Sequence, residues 1–273
     1  MCPGEINLEI QEGVLTEDFE FISEDLLPSN ILEDIFYGNP CACVNECELD
    51  DCTCVSGSCL PALFDRSCRL NRFLPVALGI DFDEPVPLCS SRCNCSSGVC
   101  PFQPARESPG MSLILKHAAD KGLGVFCVKD RIPTGTFIDF YVGEIISARE
   151  RRQRLLIYDK KQKGHALLCL KEHKPSPDND DDASTNCITT CRDATAKGNI
   201  SRFINHDCSG GNLIMITCRY HGSLISKLGI IASRDIQPGE ELTMKYGPPN
   251  ACPNAPPCHC RSKECLGYMP HEN

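Results

Sequence analysis

No stretch of this 273-residue chain approaches the roughly 18 to 20 consecutive apolar residues that a membrane-spanning helix needs. The opening MCPGEINLEIQEG also lacks the basic region followed by an apolar one that marks a secretory leader. An intracellular protein with no membrane association is therefore expected. Positive charge is the next scarcity. Lys and Arg number 27 against 37 Asp and Glu, for a formal net charge of −10. A dominant basic face is thereby excluded, and with it direct sequence-specific nucleic-acid binding, because such affinity rests on neutralising phosphates. A cationic partner suits this surface better. No internal repeat is found either. What remains is a chain with 41% hydrophobic residues, enough for a sizeable core in one large domain or two modest ones.

Cysteine is the opposite case, with 22 in the chain. Secreted disulfides and reduced metal thiolates are the two explanations for such a number, and spacing separates them. Residues 41 to 54 read CACVNECELDDCTC and place Cys41, Cys43, Cys47, Cys52 and Cys54 together; residues 89 to 100 read CSSRCNCSSGVC and add Cys89, Cys93, Cys95 and Cys100. Cysteines one residue apart are poor disulfide mates, so metal is the better reading. Zinc takes four ligands in a tetrahedron. Nine cysteines satisfy three zincs if three sulfurs each bridge two ions; the alternative is two ordinary four-cysteine sites with one cysteine idle. The segment has little apolar material of its own, so metal would have to hold it together. Near the other end, CHCRSKEC offers Cys258, Cys260 and Cys265, one ligand short of a closed site, and Cys208 in NISRFINHDCSG is the candidate for the fourth. Cys2, Cys59, Cys68, Cys127, Cys169, Cys187, Cys191, Cys218 and Cys252 are read as small hydrophobes or exposed thiols.

Organisation follows these clusters. Residues 1–40 are an acidic N-terminal arm with a short helix in ILEDIFYG ending at Gly38, and residues 41–104 are the cysteine module, interrupted by an irregular link from about 60 to 88. From 111 the chain becomes short apolar runs: LILKHA, GVFCV, FIDFYVGEII, HALLCL, LIMITCRY, KLGIIAS and ELTMKYG. Such runs predict several short strands and a mainly β fold with few short helices. ARERRQRLL, 148–156, is the best helix candidate, with Glu150 and Arg154 one turn apart and a basic face turned to solvent. KPSPDNDDDAS, 174–184, reads as an acidic surface loop between strands.

Five motifs in order carry a family resemblance: the nine-cysteine cluster, KGLGVFCVKDRIPTGTFIDFYVGEI, GNISRFINHDC, GEELTMKYG and CHCRSKEC. Together they resemble a SET-domain protein lysine methyltransferase of the Suv39 type, over roughly residues 19 to 270. The resemblance implies a SET β-fold with a knot-like crossing, divided into a pre-SET zinc cluster (41–104), a SET catalytic domain (111–247, with the acidic loop inserted) and a post-SET zinc segment (248–273). It implies S-adenosylmethionine as methyl donor, held by Gly122, Leu123 and Gly124 and by Arg202, Phe203, Asn205 and His206. It implies three Zn2+ ions in the first cluster and one bound by Cys208, Cys258, Cys260 and Cys265. Tyr141 and Tyr246 take the catalytic roles, orienting a neutral lysine amine that a narrow channel and a nearby sulfonium keep deprotonated. The substrate implied is a basic tail of histone H3, the protein a monomer, and the location the nucleus, on chromatin; a catalytically weak or inactive SET-fold binding module and a methyltransferase acting on a non-histone lysine are the alternatives.

The chain departs from the family pattern at several of these points. Leu123 stands where an aromatic is common, and tyrosines usual near Ala166 and before Gly198 are replaced, the latter by Ala196 or Lys197. Asp207-Cys208-Ser209-Gly210-Gly211 replaces a tighter turn. Met244 occupies the position where an aromatic commonly limits the number of methyl groups, and Lys245 replaces a usual aspartate.

Overall fold

The computed structural model describes residues 6–13, 18–31, 33–43, 47, 52–53, 85–95, 100, 111–161, 164–173, 187–247 and 255–270. Cys54, the acidic stretch 174–184, most of the 60–88 link, and Cys2, Cys59, Cys68 and Cys252 lie outside the described residues. In chain order the strands are β1 (Asn7–Ile10), β2 (Glu20–Phe21), β3 (Val86–Leu88), β4 (Ser112–His117), β5 (Leu123–Cys127), β6 (Phe137–Phe140), β7 (Glu144–Ile146), β8 (Leu167–His173), β9 (Cys187–Asp193), β10 (Lys197–Gly198), β11 (Asn205–His206), β12 (Leu213–Tyr220), β13 (Lys227–Ala232) and β14 (Thr243–Met244). The helices are α1 (Glu33–Tyr37) and α2 (Ala148–Lys160). Each apolar run read from the sequence thus contains a strand, and FIDFYVGEII splits into two. The fold is mainly β, as expected.

Two compact units divide the chain. The first comprises Met1–Leu15, Glu33–Phe140 and Phe203–Asn273; the second comprises Thr16–Leu32 and Tyr141–Arg202. In the first, β1, β4 and β5 form one sheet, and a second sheet runs β11-β14-β12-β13-β6 with β3 paired to β12. β13, KLGIIA, is buried along its whole length between β12 and β6, which is why it reads as a continuous apolar run and not as an alternation. Val86, Leu88, Phe137, Ile216, Cys218 and Ile231 form a buried cluster across these strands. The crossing implied by the family is built by the segment 205–212. It pairs with β14 in parallel through β11, and Asp207 and Asn212 then donate their backbone N–H groups to Met244 and Thr243 at 2.9 and 3.0 Å. The Asn212 side chain closes the crossing, accepting from the Thr243 N–H and donating to the Glu241 carbonyl, each at 2.9 Å.

In the second unit β7, β9 and β8 form an antiparallel sheet, and β2 pairs in parallel with β10. The helix expected at 148–156 runs on to Lys160. Its start is capped by Ser147, whose hydroxyl accepts from the Glu150 N–H at 3.1 Å. Glu150 and Arg154 make the anticipated one-turn pair at 2.9 Å, and no residue of the helix is buried, in keeping with a solvated basic face.

One lysine belongs to the core of the first unit. Lys227, buried on β13, places its Nζ 4.9 Å from the ring centroids of Phe36 on α1 and Phe140 on β6, and 5.4 Å from Tyr220 on β12. A desolvated ammonium over aromatic faces is worth about 2 kcal/mol, and its stem packs as an apolar chain. Lys227→Ala is expected to lower the unfolding free energy by about 2–4 kcal/mol, and Lys227→Met, which keeps an unbranched apolar stem, by less than half of that. Urea unfolding of both variants measures this; wild-type stability in Lys227→Ala would contradict it.

Candidate active site and metal-binding cysteines

The described cysteines carry thiols, none of them disulfide-linked. In the first unit their ligand atoms fall into overlapping groups in which all sulfurs lie within 4.8 Å of one another: Cys41, Cys47, Cys52 and Cys89; Cys41, Cys89, Cys93 and Cys95; Cys47, Cys89, Cys95 and Cys100. Cys41, Cys47 and Cys95 each belong to two groups and Cys89 to all three. The groups overlap instead of dividing into separate four-cysteine sites, which brings these sulfurs into one cluster. Cys43 packs against the same cluster. Sulfur separations are 3.7 Å for Cys41 and Cys47 and 3.5 Å for Cys47 and Cys89. A tetrahedron with metal–sulfur bonds of about 2.3 Å has edges of about 3.8 Å, whereas a disulfide is about 2.05 Å. The donor set and its spacing fit zinc. Burial, and then the neighbouring sulfurs Cys52 for Cys47 and Cys100 for Cys95, push the Cys47 and Cys95 thiols well above the ordinary range. A cation that takes these sulfurs as thiolates must displace their protons.

The second group joins distant parts of the sequence. Cys208 lies within the same 4.8 Å limit of Cys258, Cys260 and Cys265, and its sulfur is 3.7 Å from that of Cys258. Burial raises the thiols of Cys208 and Cys258, the latter to about 12. For Cys260 burial acts in the same direction, but the Ser262 hydroxyl and the N–H groups of Cys208 and Ser262 prevail and bring it down to about 6. His206 is tied to this group through both ring nitrogens. Nδ1 accepts the Tyr246 N–H at 3.1 Å, so the proton sits on Nε2, which faces the Cys208 sulfur at 3.2 Å. Burial lowers the imidazole below its usual pKa and keeps this neutral tautomer. The sequence marked His206 as a cofactor ligand; the structure shows its ring committed to Cys208 and Tyr246.

The turn Gly122-Leu123-Gly124 enters β5 beside Asn205. Gly122 has φ +83°, a conformation that side chains with a Cβ rarely adopt. A Cβ on Gly124 would stand 2.8 Å from both Ala118 Cβ and Glu241 Oε1 and 3.0 Å from Asn205 Nδ2, so only glycine fits. Asn205 Nδ2 donates to the Leu123 carbonyl and to Glu241 Oε1, each at 2.8 Å, and the other oxygen of Glu241 accepts from Lys121 Nζ. Glu241 and Lys121 were not singled out from the sequence. Glu241 sits in the quoted GEELTMKYG, but nothing in that motif says that it faces residue 121. Phe203 is buried in this unit. Tyr246 is 45% exposed, with its hydroxyl donating to the Ile204 carbonyl at 2.6 Å. One unit therefore gathers Gly122, Leu123, Gly124, Asn205, His206, Tyr246 and the Cys208 group.

Tyr141 and Arg202 belong to the second unit. Tyr141 is 6% exposed, and its hydroxyl donates to the Ala166 carbonyl at 2.8 Å. Arg202 places its guanidinium 5.0 Å from the Phe19 ring centroid. Asp193 on β9 accepts from Arg154 Nη1 and from the Tyr158 hydroxyl, each at 2.8 Å. Against the burial that would raise it, the Thr195 hydroxyl and Arg154 lead the contacts that hold its carboxyl below the ordinary range.

A SET domain family model matches residues 122–247. The chain is 34% identical over 251 residues to the histone-lysine N-methyltransferase SUVR3 of Arabidopsis thaliana, covering 85% of this chain and 68% of that protein. It is 31% identical over 238 residues to the H3 lysine-9 specific histone-lysine N-methyltransferase of Schizosaccharomyces pombe, covering 84% of this chain and 44% of that protein. Among solved structures, the methyltransferase domain of human SETMAR superposes with a TM-score of 0.75 at 24% identity, covering 99% of this chain and 97% of that one, a likeness of fold.

Because His206 orients one sulfur of the Cys208 group, His206→Ala is expected to weaken that group's hold on a divalent metal by roughly 10–100-fold. Competition against a chelating dye measures it. Unchanged affinity would show that the imidazole does not support the cluster.

Proposed function

The chain belongs to the SET-domain family of histone-lysine N-methyltransferases, and from that premise we propose that it methylates a lysine in the tail of histone H3. The observation that carries this reading is that two adjacent residues of one unit hold its parts together: Asn205 donates to the Leu123 carbonyl of the glycine turn and to Glu241, and His206 accepts the Tyr246 N–H. S-adenosylmethionine, when bound, supplies a methyl group already activated on a sulfonium. The chain's own residues do the rest. The glycine turn lets backbone approach the donor, and Asn205 holds that turn in place through Leu123. Both ring nitrogens of His206 are occupied, so its contribution to donor binding runs through its backbone and through the position it gives Tyr246. Phe203 and Arg202 complete the proposed donor-binding set. The hydroxyls of Tyr141 and Tyr246 orient a lysine amine made neutral by desolvation and by the nearby positive charge. A basic H3 tail suits a chain of charge −10, and one relative bears a name specific for H3 lysine 9.

Nuclear, chromatin-associated action as a monomer follows from the same reading, with a pre-SET segment at 41–104, a SET domain at 111–247 and a post-SET segment at 248–273. We assign three zinc ions to Cys41, Cys43, Cys47, Cys52, Cys54, Cys89, Cys93, Cys95 and Cys100, and one to Cys208, Cys258, Cys260 and Cys265. Cys54 enters this assignment on its spacing alone.

Labelled S-adenosylmethionine should transfer methyl to recombinant histone H3. Label on mixed cell protein but not on histones would redirect the reading to another substrate, and label on neither, with the donor still bound, would end it. Tyr246→Phe is expected to lower kcat by roughly 10–100-fold or shift the product distribution while metal content stays constant; unchanged kinetics remove Tyr246 from the site. Metal analysis of protein purified without chelator should give about four zinc ions per chain, with unfolding of the cysteine segments on chelation. Two or fewer contradict the shared cluster.

A further inference from the structure

Asp25 lies in the N-terminal arm, far outside the residues matched by the SET family model, yet it belongs to the same unit as Tyr141. The arm enters that unit as a strap. The Glu20 and Ile22 N–H groups donate to the Ala196 and Gly198 carbonyls at 2.9 and 2.8 Å, and Leu26 exchanges backbone bonds with Gly143 and Ile145 at 3.0 and 2.9 Å. Between these anchors the Asp25 carboxylate turns inward. It receives Arg192 in a bidentate pair, Nε at 3.1 and 3.2 Å and Nη2 at 3.1 Å, and Oδ1 also accepts the Gly143 N–H at 3.1 Å. The side chains are 1% and 0% exposed.

Alternation along β9 puts Arg192 and Asp193 on opposite faces. The strand is thus gripped on one face by Asp25 and on the other by Arg154 and Tyr158 from α2. Gly143 is held just as closely from a second direction, since a Cβ there would stand 2.7 Å from the Asp193 carbonyl oxygen. Two residues earlier stands Tyr141, whose hydroxyl shares the Ala166 carbonyl with the Ala194 N–H. Stability alone does not account for this arrangement: a buried ion pair is often matched or bettered by packed apolar residues of similar volume. A carboxylate that also fixes one backbone amide beside a catalytic hydroxyl does something an apolar pair would not.

We propose that Asp25 is a positioning residue for Tyr141. Its carboxylate, neutralised by Arg192, fixes the Gly143 amide and so sets the backbone from which the tyrosine hydroxyl is presented. The proposal rests on the methyltransferase reading.

Two double variants test it, both free of an uncompensated buried charge. Asp25→Asn with Arg192→Met keeps an oxygen acceptor for the Gly143 N–H; Asp25→Leu with Arg192→Met removes it. The first is expected to retain kcat on histone H3 within about 3-fold of wild type, and the second to lose roughly 10–100-fold, the scale of a small misplacement of a reacting group. Affinity for S-adenosylmethionine, measured by calorimetry, should be the same in both. Amide hydrogen exchange at Gly143 should be protected in the first and fast in the second. Equal kcat in the two variants overturns the proposal. If wild-type protein labels neither H3 nor cell protein, the methyltransferase reading fails, and the exchange rates then decide the positioning on their own: equal protection at Gly143 overturns it.

Discussion

Buried cysteine sulfurs in mutual contact are the constraint on which the rest of this structure depends. Cys41, Cys47, Cys52, Cys89, Cys93, Cys95 and Cys100 form a core of their own, sulfur against sulfur, where a small domain of ordinary composition would place leucine and valine. Thiols pack weakly, and as thiolates they repel. A cation shared among them would turn that crowding into cohesion, and separations of 3.5 and 3.7 Å suit ligands on one tetrahedral ion. Under the proposed function the flanks of the fold are therefore metal-built, and only the β-sheets between them rest on hydrophobic burial.

The second cysteine group shows how such construction reaches the chemistry. Cys208 follows the strand that carries Asn205 and His206, and its partners come from the far end of the chain. A single neutral imidazole connects that group to the backbone of Tyr246, while Asn205 beside it braces the glycine turn through Leu123 and Glu241. Metal binding and donor binding would thus be adjacent events on one short segment. Burial favours the neutral imidazole, and the Tyr246 N–H on Nδ1 leaves its proton on the nitrogen facing sulfur, so the connection needs no charge.

Much of this was legible in the sequence, for physical reasons that differ between elements. Metal ligands must converge within a few ångströms, and a chain achieves that most simply with close spacing, so CACVNECELDDCTC and CHCRSKEC announce themselves. Short β-rich runs such as LIMITCRY and KLGIIAS were recognisable because strand residues carry their preference locally. Cys208 could be matched to its partners by counting ligands. By contrast, the pairing of Asp25 with Arg192 spans 167 positions and leaves no periodic trace, and a buried arginine in CITTCRD looks like any polar residue on a strand. The same is true of Glu241 with Lys121 and of Lys227 among its aromatic rings. The contacts of the His206 ring with Cys208 and Tyr246 left no trace either, because motif spacing does not say which way a side chain turns.

X-ray absorption at the zinc edge of the purified protein tests the central claim most directly. Shared thiolates predict a first shell of sulfur alone at about 2.3 Å, together with metal–metal scattering from ions bridged by common sulfurs. Nitrogen or oxygen in the first shell, or sulfur coordination without any metal–metal contribution, would contradict the account.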